Sequence, residues 1–308
     1  MTLSKFKKII FKSSFLLSAF TQLTVYAQEL TIVVPYAQLG PSDAAMRAVA
    51  KNMAINYPNG VKVENKLGDS GLLGLREFAE KSEVDSKLIL LNSNTFYMAA
   101  SKEPKLLDSI RPVSLISLSP MVLVSNKSWN ALVKDAISNK SIKLGVSSPG
   151  SASHLCALQI AEAIGVEPQL VIYKGTGPLM ADLLAQNVDA CLETSSSVST
   201  YLKSGKFSII ALTDEAALNF PNIPTFESLG VKNITKGQWA ILASLAKSSE
   251  KFNADAANSI RLALQSKLDI PDGIFNFVPA NVVTNQIAVN FVQRDFVRTK
   301  PYLNRLAN

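Results

Sequence analysis

Past residue 28 the chain alternates short β-branched apolar runs with longer stretches that carry apolar residues at helical spacing. L-T-I-V-V-P-Y (30–36) is an unbroken apolar run closed by Pro and reads as a buried strand. A-Q-L-G-P-S-D follows as a turn, with Pro41, Ser42 and Asp43 suited to open a helix over A-A-M-R-A-V-A-K-N-M-A-I. G-V-K-V-E-N predicts a second strand, K-L-G-D-S-G-L-L-G a Gly-rich loop, and L-R-E-F-A-E-K a helix. K-L-I-L-L-N-S-N predicts a third strand, with Asn92 at its polar end. The run V-S-L-I-S-L-S-P-M-V-L-V-S (113–125) is long enough to cross between domains, and W-N-A-L-V-K-D-A-I predicts a helix after it.

A second series then begins. S-I-K-L-G-V-S-S (141–148), Q-L-V-I-Y-K-G (169–175), V-D-A-C-L-E-T (188–194) and F-S-I-I-A-L-T (207–213) read as strands with helices between them. Gly165 and Gly205 stand where helices end. P-N-I-P-T-F-E-S-L-G (221–230) reads as a surface connection, and the remainder holds W-A-I-L-A-S-L and at least two helices. Two β-loop-α series point to an α/β fold with mostly parallel sheets.

The first residues follow a different rule. Lys5, Lys7, Lys8 and Lys12 precede a short apolar segment, and Val25-Tyr26-Ala27 offers a cleavage site. This is the order of a secretory signal peptide over residues 1–27, and its apolar run is too short and too interrupted for a membrane span. The chain of 308 residues carries a net charge of +7, and loss of the leader's four lysines leaves +3. No remaining stretch interleaves Lys/Arg clusters with aromatics, so nucleic acid is excluded as a partner. One His and two Cys, Cys156 and Cys191, lack zinc-ligand spacing, so no metal site is expected. The two thiols are read as buried, with a single bridge as the alternative.

The candidate chemistry lies in the loops after the strands, where ligands bind in such sheets. The first supplies Tyr36, Gln38, Leu39, Gly40, Ser42 and Asp43. Residues 148–154 supply Ser148, Gly150, Ser151, Ser153 and His154. Tyr173, Lys174 and Gly175 follow, then Glu193 and Thr194. Small residues at helix N-termini leave amide N–H groups free for an anion, and hydroxyls add neutral donors. The pattern suits a carboxylate. Each residue also has a plainer role: Ser151 and Ser153 as caps, Asp43 as a dipole partner, Gly175 as a turn residue. His154 beside two serines raises a hydrolase reading, but no G-x-S-x-G elbow exists, and an anchoring role for the ring is preferred.

The segments together resemble the Bug family, the receptors of tripartite tricarboxylate transporters. Y-K-G-T-G-P-L-M-A-D-L-L-A-Q-N-V-D (173–189), Y-L-K-S-G-K-F-S-I-I-A-L-T (201–213) and N-I-P-T-F-E-S-L-G (222–230) carry most of the likeness. G-S-A-S-H-L (150–155), V-V-P-Y-A-Q-L-G-P-S-D (33–43) and V-E-N-K-L-G-D-S-G-L-L-G (63–74) add to it, over about 200 residues. The resemblance implies a two-lobed periplasmic-binding-protein fold of type II (Venus-flytrap), each lobe a β-sheet flanked by helices. Lobe 1 would hold residues 28–124 plus 233–308, and lobe 2 residues 125–232. It implies a periplasmic monomer without cofactor or catalysis, binding a small organic acid in the cleft for membrane transport subunits. The alternative partner is a sensor protein.

Four positions depart from the family pattern. Leu39 stands at a family glycine, Lys66 and Leu67 replace an Arg-Pro pair, and Glu193 replaces an Asp. Leu39 is expected to restrict positive φ and close backbone approach at the first loop.

Overall fold

The computed structural model describes residues 29–213, 222–271 and 275–305, so the leader reading and Pro221 lie outside the described residues. Two five-stranded sheets organise the chain. The first contains β1 (Leu30–Val34), β2 (Val61–Asn65), β3 (Lys87–Asn92), β4 (Ile110–Ser119) and β10 (Gln238–Leu245), in the order β2-β1-β3-β10-β4. The second contains β5 (Met121–Ser125), β6 (Ser141–Val146), β7 (Glu167–Ile172), β8 (Ala190–Thr194) and β9 (Ser208–Leu212), in the order β7-β6-β8-β5-β9.

One antiparallel strand in each sheet records how the chain crosses. β1 runs parallel to β2 and β3, and β6 parallel to β7 and β8. β10 runs antiparallel to β3 and β4, and β5 antiparallel to β8 and β9. Both β5 and β10 begin at the junction of the sheets and run away from it. The parallel strands end there, so the loops after β1, β2, β3, β6 and β8 gather on that side.

The long apolar run at 113–125 is two strands. Pro120 has no N–H for a ladder, and the chain changes sheet at that residue. β5 belongs entirely to the second sheet. The return segment is packed hard against this crossing. Gly237 has φ 130°, and a Cβ there would sit 2.3 Å from Ser119 O. Thr213 joins both crossings, accepting from Met121 N at 2.9 Å and donating to Lys236 O at 3.0 Å.

Helices cover both sheets. In the first lobe these are α1 (Pro41–Met53), α2 (Leu72–Lys81), α3 (Ser93–Lys102), α8 (Glu250–Gln265) and α9 (Asn285–Thr299). In the second they are α4 (Trp129–Asn139), α5 (Ala152–Ala163), α6 (Thr176–Leu184) and α7 (Ser195–Leu202). Side-chain caps set several starts: Asn92 for α3, Ser128 for α4, Ser151 for α5, Thr194 for α7, Ser249 for α8 and Thr284 for α9. The connection at 222–230 is more than surface. Phe226 is fully buried against Trp129, ring centroids 5.8 Å apart, in the second core.

α5 is buried along nearly its whole length, because both lobes cover it. Leu155 and Leu158 join the first lobe's core, while Cys156, Ala157 and Ile160 join the second's. Both cysteines are buried free thiols, so the alternative of a bridge is not realised. Burial pushes both thiols up.

Beside α5 lies Asp295 of α9, 0% exposed. Its Oδ2 accepts from Tyr97 Oη at 2.5 Å and Trp239 Nε1 at 2.8 Å, and its Oδ1 from Thr235 Oγ1 at 2.8 Å. Gln159 of α5 extends the network, accepting from Thr235 N at 3.0 Å and donating to Asn233 O and Arg298 O. Asp295→Asn puts an amide N–H2 against donors on one side. It is expected to lower unfolding stability by about 3 kcal/mol in urea titration. A loss under about 0.5 kcal/mol would show that the carboxylate does not hold the junction.

Candidate functional site

The loops after β1, β2 and β3 border an open cavity of about 310 Å³ at the ends of the first sheet, lined by Pro35, Tyr36, 67–71, Asn92, Asn94 and Thr95. Tyr36 is its wall. The Tyr36 hydroxyl lies 3.0 Å from Thr95 Oγ1 and accepts from Asn92 N at 2.9 Å. Burial raises its pKa to about 12, so the phenol stays neutral and a donor. Thr95 Oγ1 donates to Ser70 O at 2.8 Å, which ties the loop after β2 to α3.

That loop is unusual in its backbone. Gly68, Asp69, Ser70 and Gly71 take φ values of 139°, 48°, 53° and 94° in succession. Gly71 N donates back to Gly68 O at 2.9 Å, so the run closes as a tight turn. Gly71 cannot be replaced without disturbance: a Cβ would come within 2.6 Å of Thr95 Oγ1. Asp69 is the charged residue among the lining side chains, and Arg76 pairs with both Asp69 and Glu103. Asn94 Oδ1 is buried without a partner among the described residues.

Asp43 holds the first loop. At 1% exposure, its Oδ2 accepts from Leu39 N at 2.9 Å and Arg47 Nε at 3.0 Å. Its Oδ1 accepts from Asn65 Nδ2 at 2.9 Å, and Asn65 also donates to Tyr36 O. Asp43 thus stitches the loops after β1 and β2 together, and both its oxygens are engaged in doing so. Leu39 sits at the tip with φ 62°, contrary to the expectation that leucine would restrict this conformation. The Leu39–Asp43 bond holds the backbone there at a cost of roughly 1–2 kcal/mol. Gln38 and Leu39 are exposed, and Gly40 and Ser42 half-buried.

In the second lobe, the loop after β6 is built around His154. Gly150 has φ 70°, and its N–H donates to His154 Nδ1 at 3.1 Å. Burial, then the Arg305 charge, lowers the His154 pKa, so the ring remains a neutral acceptor. Ser151 Oγ caps His154 N at 3.2 Å, donates to Ser148 O at 2.7 Å and lies 2.8 Å from Ser153 Oγ. Ser153 Oγ also accepts from Ser147 N at 3.1 Å. These hydroxyls shape the loop, while the first-turn amides of Ala152 and Ser153 make no hydrogen bond among the described residues. The loop faces the first lobe: a Cβ on Gly150 would lie 3.1 Å from Met98 Sδ of α3.

The other expected positions are placed apart from the cavity. Tyr173 is buried in the second core and donates to Asp182 Oδ2 at 2.7 Å. Glu193 is also buried, and burial raises its pKa against the lowering effect of the Thr194 N–H and Ser197 bonds. Thr194 caps α7, and Gly175, exposed with φ 112°, precedes α6. Sequence reasoning left Gly68, Ser70, Gly71, Asn94 and Thr95 out of the site. The N-S-N-T run at 92–95, an N-cap signature, was the available signal for the start of α3.

Two α/β lobes whose strand-end loops face each other across a pair of crossing segments define a two-lobed solute-binding protein. Residues 45–306 match the model of the tripartite tricarboxylate transporter family receptors, and the chain belongs to that family. Protein BugT of Bordetella pertussis is 28% identical over 257 residues, 79% of this chain and 78% of BugT. A solute-binding protein from Polaromonas shares the fold with TM-score 0.72 at 20% identity, covering 92% of this chain and 98% of that one. MatC from Rhodopseudomonas palustris, solved with bound malate, shares it with TM-score 0.63 at 23% identity, covering 92% and 99%. The family is one of receptors, not enzymes.

The Asp43 bonds predict a pH dependence. Burial opposes ionisation, but the hydrogen bonds from Arg47, Asn65 and Leu39 N–H, with the Arg47 charge, hold its carboxyl below the usual range. Its stabilisation is therefore full above the unfolded pKa and lost as pH falls through the lower folded value. Asp43→Asn is expected to cost about 1–3 kcal/mol at pH 7 in urea titration, with the gap to the unaltered chain narrowing below about pH 4. A gap that stays constant with pH would show that the charge is not what holds the loop.

Proposed function

We propose that this chain captures a small organic acid between its lobes and presents it to the membrane subunits of a tripartite tricarboxylate-type transporter. The carrying observation is the composition of the strand-end loops. Asn92 and Asn94 on one side offer side-chain amides, and the α5 first-turn N–H groups on the other add further neutral donors. No unpaired cation lines the cavity among the described residues. Such donors hold a carboxylate by hydrogen bonds alone and release it when the lobes part. Malate in MatC supports the ligand class.

The lobes are taken as residues up to 119 with those from 238 onward, and residues 121–232. Closure is a rotation about Pro120 and the 235–237 return, with Thr213 binding the two. Ligand drives it only through its preference for the closed form. Of the expected site positions, Tyr36, Asn92, Gly150 and the amides around Ser151 and Ser153 are the contacts this reading keeps. Gln38, Leu39, Gly40 and Ser42 stand on the first loop outside the cavity lining. Asp43, Ser148 and the serine hydroxyls position the loops, as His154 does.

The test is a thermal-shift screen of the purified protein against malate, adipate and neutral sugars. An acid at 100 times its Kd should stabilise by about 2.7 kcal/mol and raise Tm. A shift with sugars and none with acids would overturn the carboxylate reading. Export to the periplasm as a monomer goes with this role. Mass spectrometry of the exported chain is expected to find Gln28 as its first residue. An uncleaved chain would contradict the leader reading.

A further inference from the structure

The cavity bordered by the loops after β1, β2 and β3 has one charged residue in its lining, and it is an acid, Asp69. The turn fixes its place. Gly71 N donates to Gly68 O and Thr95 Oγ1 to Ser70 O, so the loop is tied to the start of α3. Asp69 takes a left-handed backbone that aspartate tolerates better than most residues. Its charge is only partly answered. Arg76 Nη2 donates to Asp69 Oδ2 at 2.7 Å, but Arg76 Nε donates to both oxygens of Glu103, at 3.0 and 2.9 Å. One cation is therefore shared by two carboxylates, and Asp69 Oδ1 makes no hydrogen bond among the described residues. Asn94 lines the same cavity, and its Oδ1 also lacks a donor among the described residues. Asn92 differs: its Oδ1 accepts from Thr95 N, which leaves its N–H2 to donate. The cavity thus offers a donor for a carboxylate and, beside it, acceptors that a plain carboxylate cannot satisfy.

Resting on the carboxylate reading above, we infer that Asp69 selects small acids that carry an ammonium group and disfavours those with a second carboxylate. The Asp69 side chain is 46% exposed, so water screens it while the lobes are apart. Closure over a ligand displaces that water. Attraction for an ammonium and repulsion of a carboxylate both strengthen as the surroundings become less polar. Discrimination is then exerted in the closed form, the one that ligand must favour to shift the lobes.

Isothermal titration of the full-length expressed protein with 4-aminobutyrate, butyrate and succinate tests this, because the three differ at one end of a similar chain. The unaltered protein should bind 4-aminobutyrate most tightly and succinate least. Asp69→Asn keeps the shape and the left-handed backbone and removes the charge. It should weaken 4-aminobutyrate about tenfold, equivalent to about 1.4 kcal/mol, change butyrate less than about twofold, and leave succinate no weaker. An equal loss for all three acids would make Asp69 a residue that only shapes the loop, and no loss for any would remove it from selection. Each of these overturns the inference. So does an unaltered chain that binds succinate as tightly as 4-aminobutyrate or more so, which needs no variant and leaves the carboxylate reading standing. Binding of none of the three, nor of any acid in the thermal screen, overturns both.

Discussion

The junction of the two lobes depends on a buried carboxylate with no cation against it among the described residues. Asp295 is satisfied by Tyr97, Trp239 and Thr235 instead. A buried charge left unpaired is costly, so every donor around it is constrained to its place. Those donors come from α3 and, more than a hundred residues later in the chain, from the return segment and β10. Tyr97 carries the consequence: burial first, then the Asp295 charge, raises its pKa well above the usual value, so it remains a donor. Gln159 passes the constraint to α5, the helix that opens at the loop of Gly150.

The direction of the strands does the rest. A chain that crosses between sheets at one end must begin its next strand there, which makes β5 and β10 antiparallel to their neighbours. The parallel strands then deliver their loops to the same end, and the helices after those loops point their N-termini toward it. Polar side chains in these loops are mostly occupied with one another. Ser151 and Ser153 close around His154, Asp43 around Leu39 and Asn65. That engagement leaves backbone amides as the groups free to meet an anion, fixed in position before a ligand arrives.

Strands, helices and the alternation of the two series were legible because each element carries its own period and its own cap. The crossing was harder. An apolar run from 113 to 125 has one hydropathy, and Pro120 marks where it breaks only once two sheets compete for its halves. The site was legible as a set of loops but not as a set of contacts. Tyr36 and Tyr173 both follow apolar strands, yet one walls a cavity and the other turns into a core toward Asp182. Thr95 was invisible because nothing local shows that its hydroxyl reaches back to Ser70.

Local spacing therefore determined the α/β class, the family likeness and the loops that carry polar donors, since these depend on neighbours in sequence. Tertiary structure alone decided which loops meet, which hydroxyls are already engaged and where the chain changes sheet. Those outcomes depend on partners that distant strands bring together. Leu39 shows the division most clearly. Its identity is plain in the sequence, but its left-handed backbone exists only because Asp43, four residues on and bonded to Asn65, holds its amide.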